Sequence, residues 1–169
     1  MDALLAAGID FEVIPGVSAY QLAAARLRVE LTQPQLVQTI ILTRMAGRIQ
    51  MPSSEELAGL AAHRSSLCLY LSAKNIEAAA AQLSQHYLPE TPVAICFRVG
   101  WPDERILLVS LNEMVETTIR EQLFRTTMYM ISPALNAATV PAEYNNPNTA
   151  VVSARSQLYN GEYDRLFRG

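Results

Sequence analysis

Arg44 and Arg48 stand four residues apart in a stretch that also holds Gly47, and Arg98 lies three residues before Trp101 in a second glycine-containing stretch. A guanidinium presents a planar fork of donors that can grip a carboxylate through two bonds, so loop arginines suit the binding of a poly-acid better than proton transfer. The same arginines can instead be solvated, or pair with Glu55, Glu56 or Asp103. Asp103 and Glu104 are available carboxylates, and a surface turn accounts for them as well as a role in chemistry does. Cys68 and Cys96 are the only cysteines. Both sit in short apolar runs, and although His63 lies upstream of Cys68, no second pair of ligands completes a metal site. They read as small buried hydrophobes. His63 and His86 fall near the ends of predicted helices, where a His favours the C-terminal dipole, and neither is assigned to catalysis.

No glycine-rich phosphate loop, dinucleotide glycine triplet, Gly-x-Ser-x-Gly elbow, paired-His zinc helix or cysteine-nucleophile signature occurs, so hydrolase and metalloenzyme readings find no support. There is no internal repeat.

The elements that must position these residues alternate. Residues 2–7 predict a helix end stopped by Gly8, 11–14 a short strand, and Pro15-Gly16 a turn. Residues 18–29 predict a helix capped by Ser18, with Leu22, Ala25 and Val29 on its buried face and Arg26 and Arg28 off it. Residues 38–43 predict a buried strand and 44–53 a loop; a helix capped by Ser53 or Ser54 follows, with Glu55 and Glu56 in its first turn. Strands at 67–71, 92–99, 105–109 and 127–131 and helices at 75–87 and 112–122 complete an α/β domain with a mixed sheet. From Asn136 the pattern turns irregular until an aromatic and apolar cluster at 158–167, which is expected to dock back on the body.

The chain has 169 residues, of which 50% are apolar and 17% charged, with a mean hydropathy of +0.12. That is one domain's worth of ordinary globular sequence, not a disordered or polybasic one. A net charge of −3 gives no overall field to hold nucleic acid, and no apolar run approaches the ~18 residues needed to span a bilayer. The N-terminus carries Asp2 where a signal peptide carries a base, so the reading is cytoplasmic.

The run Phe11-Glu12-Val13-Ile14-Pro15-Gly16-Val17-Ser18-Ala19 resembles the segment after the first domain of tetrapyrrole methylases. Five more stretches come in that family's order: Glu30-Leu31-Thr32; Thr39 to Arg48, with Thr43-Arg44-Met45-Ala46-Gly47-Arg48; Leu69-Tyr70-Leu71-Ser72-Ala73; Pro92-Val93-Ala94 with Arg98-Val99-Gly100-Trp101-Pro102-Asp103-Glu104; and Ser132-Pro133-Ala134-Leu135. The Thr-Arg-x-x-Gly-Arg loop together with Trp-Pro-Asp-Glu carries the resemblance, which is strongest to the corrin-building branch of the family. It covers roughly residues 1–137, with a weaker echo at 156–168 and 138–155 as an apparent insertion.

The resemblance implies an S-adenosylmethionine-dependent C-methyltransferase of cobalamin biosynthesis acting on a modified tetrapyrrole, most often a homodimer. It implies a remnant of the N-terminal domain and linker at 1–34, a C-terminal α/β methylase domain at 35–137 and a mostly irregular tail at 138–169. The Gly-Asp-Pro loop of the family's first domain falls upstream of Met1, so the chain alone is expected to be inactive. By motif, the donor contacts fall on Ser18, Ala19, Leu71, Ala94, Val99 and Ala134, with Leu71 standing where related enzymes commonly have Met. Substrate carboxylates fall to Arg44, Arg48 and Arg98, and the macrocycle to Trp101 or Tyr20. Ile49 and Ser53 stand where the resemblance leads one to expect Thr and an acidic residue. No general base is implied, because displacement at a sulfonium methyl needs alignment and exclusion of water more than proton removal. A non-catalytic dimerisation or ligand-binding domain, or another methylase of the same family, remain the alternatives.

Overall fold

The protein is described here by a computed structural model covering residues 1–47 and 50–138. Arg48, Ile49 and the tail from residue 139, including the cluster predicted to dock, lie outside the described residues.

Helix α1 (Asp2–Ala6) ends at Gly8, whose φ of +65° is the left-handed turn expected of it. Residues 11–14, predicted as a strand, form none. Without a partner strand to complete a ladder the segment takes no regular structure and stays exposed, Val13 and Ile14 included. Helix α2 (Ala19–Leu27) begins after Ser18, whose N–H donates to the Gln21 side-chain carbonyl at 3.1 Å, and ends at Arg28, which is left-handed. Its buried residues are Ala23 and Leu27, and Ala25 is exposed. Val29, just past the helix end, is buried as expected and Leu22 is half-buried, whereas Ala23 and Leu27 hold the buried positions in place of Ala25.

Five strands follow: β1 (Ile40–Arg44), β2 (Ser66–Tyr70), β3 (Pro92–Phe97), β4 (Arg105–Ser110) and β5 (Thr127–Ile131). The sheet order is β1-β2-β5-β3-β4; only β1 and β2 are parallel, so the sheet is mixed, as expected. β1 is an edge strand and half-buried, not the buried strand predicted, because its outer face lacks a cover as complete as that of its neighbours. Helices α3 (Leu57–Ala61), α4 (Ile76–Leu83) and α5 (Met114–Arg120) are shorter than predicted. The acidic pair behaves differently from its expected place in a first turn: Glu55 closes a 3-10 turn (Ser53–Glu55), and Glu56 caps α3.

The pleat sends alternate side chains to two cores. Leu67, Leu69, Val93, Ile95, Tyr129 and Ile131 face α3, α4 and α5. Cys68, Ala94, Cys96, Met128 and Met130 face α2 and the segment after it, where Leu27, Val29 and Leu31 pack. Both cysteines are free and buried, as their sequence context indicates. The linker after α2 is clipped to the sheet by the Ser66 hydroxyl, which donates to the Leu31 carbonyl at 2.6 Å and lies 2.6 Å from the Ser132 hydroxyl.

The β3–β4 connection is held from inside. Gly100 takes φ +87°, and its N–H donates to Glu104 Oε2 at 2.6 Å. Glu104 Oε1 lies 2.9 Å from Arg26 Nε, and its side chain is only 7% exposed. One buried carboxylate thus ties the hairpin loop to α2. Glu104→Ala is expected to cost about 1–3 kcal/mol by removing the buried carboxylate that joins the Gly100 turn to Arg26. Urea unfolding should show a lower midpoint with an unchanged slope, whereas an unchanged midpoint would show that the tie contributes nothing.

Candidate active site

Antiparallel pairing brings the C-terminal ends of β2 and β3 and the N-terminal end of β5 to the same edge of the sheet. A cleft of about 390 Å³ opens there, within the roughly 300–1,000 Å³ typical of small-molecule sites. Tyr70 and Leu71 enter it from β2, Cys96 and Val99 from β3 and its loop, Thr127 and Met128 from β5, and Ala19 from the start of α2. Phe124, Arg125 and Thr126 from the turn before β5, with Ala73 and Lys74 from the turn after β2, complete the lining.

At all three strand ends the backbone is left-handed at a residue other than glycine: Leu71 at φ +55°, Arg98 at +48° and Thr126 at +52°. This conformation costs roughly 1–2 kcal/mol per residue and is worst for a β-branched one, so something must hold it. At Thr126 the hold is visible. Its carbonyl accepts from the Arg98 N–H at 2.9 Å, and the Thr127 hydroxyl donates to the Leu123 carbonyl at 2.8 Å. On the β2 side, the Ser72 hydroxyl donates to the Tyr70 carbonyl at 2.8 Å and accepts from the Met45 N–H at 3.2 Å. Left-handed backbone also occurs at Arg28, Gln35, Arg64 and Gln122, so at this cleft it fixes the shape of three converging turns without by itself marking a site.

Tyr70 ties this wall to α2. Burial, the largest influence, raises its pKa, while hydrogen bonds to the Ser18 side chain and the Tyr20 backbone oppose the rise. Ser18 is thus engaged at the cleft rim through Tyr70. Burial also pushes the Cys68 thiol up to about 12 and holds Cys96 well above its usual range, so neither provides a thiolate nucleophile near neutral pH. Among the described residues no group of three His, Cys, Asp or Glu could hold a metal ion, and no helix is long and apolar enough to cross a membrane.

Of the six positions expected to meet a methyl donor, Ala19, Leu71 and Val99 line the cleft, and Ser18 touches it through Tyr70. Leu71 is 85% exposed, an apolar side chain held toward solvent. Ala94 and Ala134 are elsewhere: Ala94 is fully buried under α2, and buried Ala134 gives its carbonyl to Gln33 Nε2 at 3.3 Å. Among the positions expected to meet substrate, Arg44 ends β1 at this same sheet edge, opposite Tyr70. Arg98 Nε lies 2.9 Å from Asp103 Oδ1, and its guanidinium stacks 4.6 Å from the Trp101 ring centroid. Trp101 is 55% exposed, and Tyr20 packs on the α2 side of the sheet. Arg48 lies outside the described residues. Tyr70, Lys74, Arg125 and Met128 were not singled out from sequence; more than fifty residues separate the two groups they come from, and only the antiparallel insertion of β5 brings them together.

The family model of tetrapyrrole (corrin/porphyrin) methylases matches residues 1–115, and the chain belongs to that family. Within it, the chain is similar to the cobalt-precorrin-4 C(11)-methyltransferase of Methanocaldococcus jannaschii, with 36% identity over 169 residues covering 99% of this chain and 60% of that one. The precorrin-4 C(11)-methyltransferase of Pseudomonas aeruginosa is 34% identical over 161 residues, covering 95% of this chain and 59% of that protein. The X-ray structure of a cobalt precorrin-4 methyltransferase, a cobalamin biosynthetic enzyme, superposes with a TM-score of 0.75 at 32% identity, covering 79% of this chain and 56% of that one. The chain therefore spans about three fifths of the length of the curated relatives it matches.

If the left-handed turn at Thr126 stores strain, Thr126→Gly should raise stability by about 1 kcal/mol. In a protein of this size that is a rise of roughly 2–4 °C in Tm, read by differential scanning calorimetry. A fall in Tm would show that the threonine is unstrained there.

Proposed function

We propose that this chain supplies one wall of the active site of an S-adenosylmethionine-dependent methyltransferase acting on C-11 of precorrin-4 or cobalt-precorrin-4 in cobalamin biosynthesis. The observation that carries the reading is the convergence of Ala19, Leu71 and Val99 in one cleft. They come from three segments far apart in sequence, and the family resemblance assigns all three to the donor. The apolar surfaces of Leu71, Val99 and Met128 suit an adenine ring and a sulfonium methyl, and no charged base is required.

When bound, the donor would supply an electrophilic methyl group: a π-electron pair of the ring carbon would form the new carbon–carbon bond as the carbon–sulfur pair leaves with sulfur. The chain's own residues orient and exclude water. Ala19, Leu71 and Val99 fix one side of the donor, and Ser18 holds the α2 entrance through Tyr70. Arg44 and Arg48 grip acetate and propionate carboxylates of the ring. Arg98, braced by Asp103, keeps Trp101 flat against the macrocycle. Such positioning lowers the barrier by removing the entropy of bringing two reactants together. The domain division at 34 and 137, a homodimer, a cytoplasmic setting and the absence of nucleic-acid or membrane partners belong to the same reading. Donor roles for Ala94 and Ala134 would lie in packing beneath the site, since neither lines the cleft.

Because the relatives extend well beyond what this chain spans, the second wall of the cleft is assigned to that additional part of the fold. Each absent hydrogen bond is worth about 0.5–1.5 kcal/mol, so several together weaken donor binding by orders of magnitude. The 169 residues assayed alone are expected to give no methyl transfer from labelled S-adenosylmethionine to either precorrin. Joined to the preceding segment of the Methanocaldococcus relative, they should do so. A joined protein that methylates neither substrate overturns the function, and full-rate turnover by the 169 residues alone overturns the shared cleft.

In that joined protein Arg44→Lys keeps the charge and loses the fork. The expected outcome is about a tenfold rise in KM for the tetrapyrrole with donor affinity unchanged. An equal loss of both would remove Arg44 from substrate binding.

A further inference from the structure

The chain contains a single lysine, Lys74, against twelve arginines. It lies in the turn between β2 and α4 and lines the cleft, across from Arg125 in the turn before β5. Both side chains belong to exposed residues, and among the described residues neither has a carboxylate within 4.0 Å. Asp103 pairs with Arg98, Glu104 with Arg26, and Glu121 with Arg105 and Arg120, while Glu77 in the first turn of α4 makes no ion pair with Lys74. In a chain of net charge −3, one rim therefore presents two cations without such partners, on a cleft whose floor is otherwise apolar.

The backbone beneath Arg125 is fixed. The Thr127 hydroxyl reaches the Arg125 carbonyl at 3.2 Å, and Thr126 is held left-handed against the Arg98 N–H. Lys74 is carried by a turn whose lead-in, Ser72, is buried and hydrogen-bonded to β2. Two cations on braced turns facing one apolar cleft form a receptor for a ligand with an apolar body and a carboxylate end.

We propose that Lys74 and Arg125 together form a carboxylate-binding rim of this cleft. The inference rests on the methyltransferase reading, which offers two sources of that chemistry: the amino-acid tail of the methyl donor, and the acetate or propionate arms of the tetrapyrrole.

Three probes separate the sources when titrated into the chain joined to the preceding segment of the Methanocaldococcus relative and followed by ligand-observed NMR at up to millimolar concentration. S-adenosylhomocysteine carries the amino-acid tail, 5′-methylthioadenosine lacks it, and uroporphyrin carries eight carboxylates without the nucleoside. If the rim holds the donor tail, Lys74→Gln and Arg125→Gln each weaken S-adenosylhomocysteine about tenfold, leave methylthioadenosine within twofold, and Lys74→Arg restores most of the loss. If it holds the tetrapyrrole, the same variants spare both nucleosides and weaken uroporphyrin, more so at low salt. Either pattern supports the rim. Acetylation of Lys74 by acetic anhydride, read by mass spectrometry, should be slowed by the ligand that the variants lose. Wild-type binding of the probes that no variant changes overturns the rim while leaving the methyltransferase reading in place. A wild-type chain that binds none of the three overturns both.

Discussion

β5 is the last strand in the described chain and the central one in the sheet. All five of its residues are buried, with β2 hydrogen-bonded on one side and β3 on the other. Every later feature depends on that insertion. It separates the parallel pair β1–β2 from the hairpin β3–β4, so neither half has a complete core until β5 arrives. Tyr129 and Ile131 then complete the core under α3, α4 and α5, and Met128 and Met130 complete the other under α2. Such a sheet is rich in contacts between residues distant in sequence, which makes folding slow relative to a helical bundle of the same size.

The insertion also sets the site. An antiparallel β5 starts where β2 and β3 stop, so three turns meet at one edge and enclose space that no single βα turn could enclose. The edge tolerates left-handed Leu71, Arg98 and Thr126 because each turn is bonded to its neighbour. The Arg98 N–H holds the Thr126 carbonyl, and the Ser72 hydroxyl bridges Tyr70 and Met45. The charges are sorted in the same way. Glu104, Asp103 and Glu121 are engaged with arginines that shape the loops, which leaves Lys74 and Arg125 along the mouth and Arg44 at the neighbouring end of β1. Tyr70 closes the arrangement by joining the strand edge to the start of α2.

Much of this was legible in the sequence where the signal is local. Short apolar runs marked β2 to β5 within a few residues of their ends, Gly8 marked its turn, and the ordered motifs carried the family. The failures share a cause. Residues 11–14 have strand composition, but a strand exists only with a partner, which composition does not reveal. The buried face of α2 was read correctly at Val29 but missed Ala23 and Leu27, whose packing partners are strands far along the chain. Ala94 and Ala134 were chosen by motif position, and the fold buries both. Lys74 and Arg125 carried no local signal, since their meaning comes from the placement of β5 between β2 and β3.

The central claim is that the strand-end cleft, and not another depression of this surface, receives the methyl donor. A second groove lies at the opposite edge of the sheet, lined by Arg64, His86, Glu90 and Asn136 among others, and it serves as an internal control. Backbone amide shifts of the isotopically labelled chain titrated with S-adenosylhomocysteine test the claim directly. The account predicts the largest changes at Ala19, Leu71, Val99 and Thr127, with Arg64, His86 and Asn136 unmoved. Changes centred on the opposite groove would contradict it.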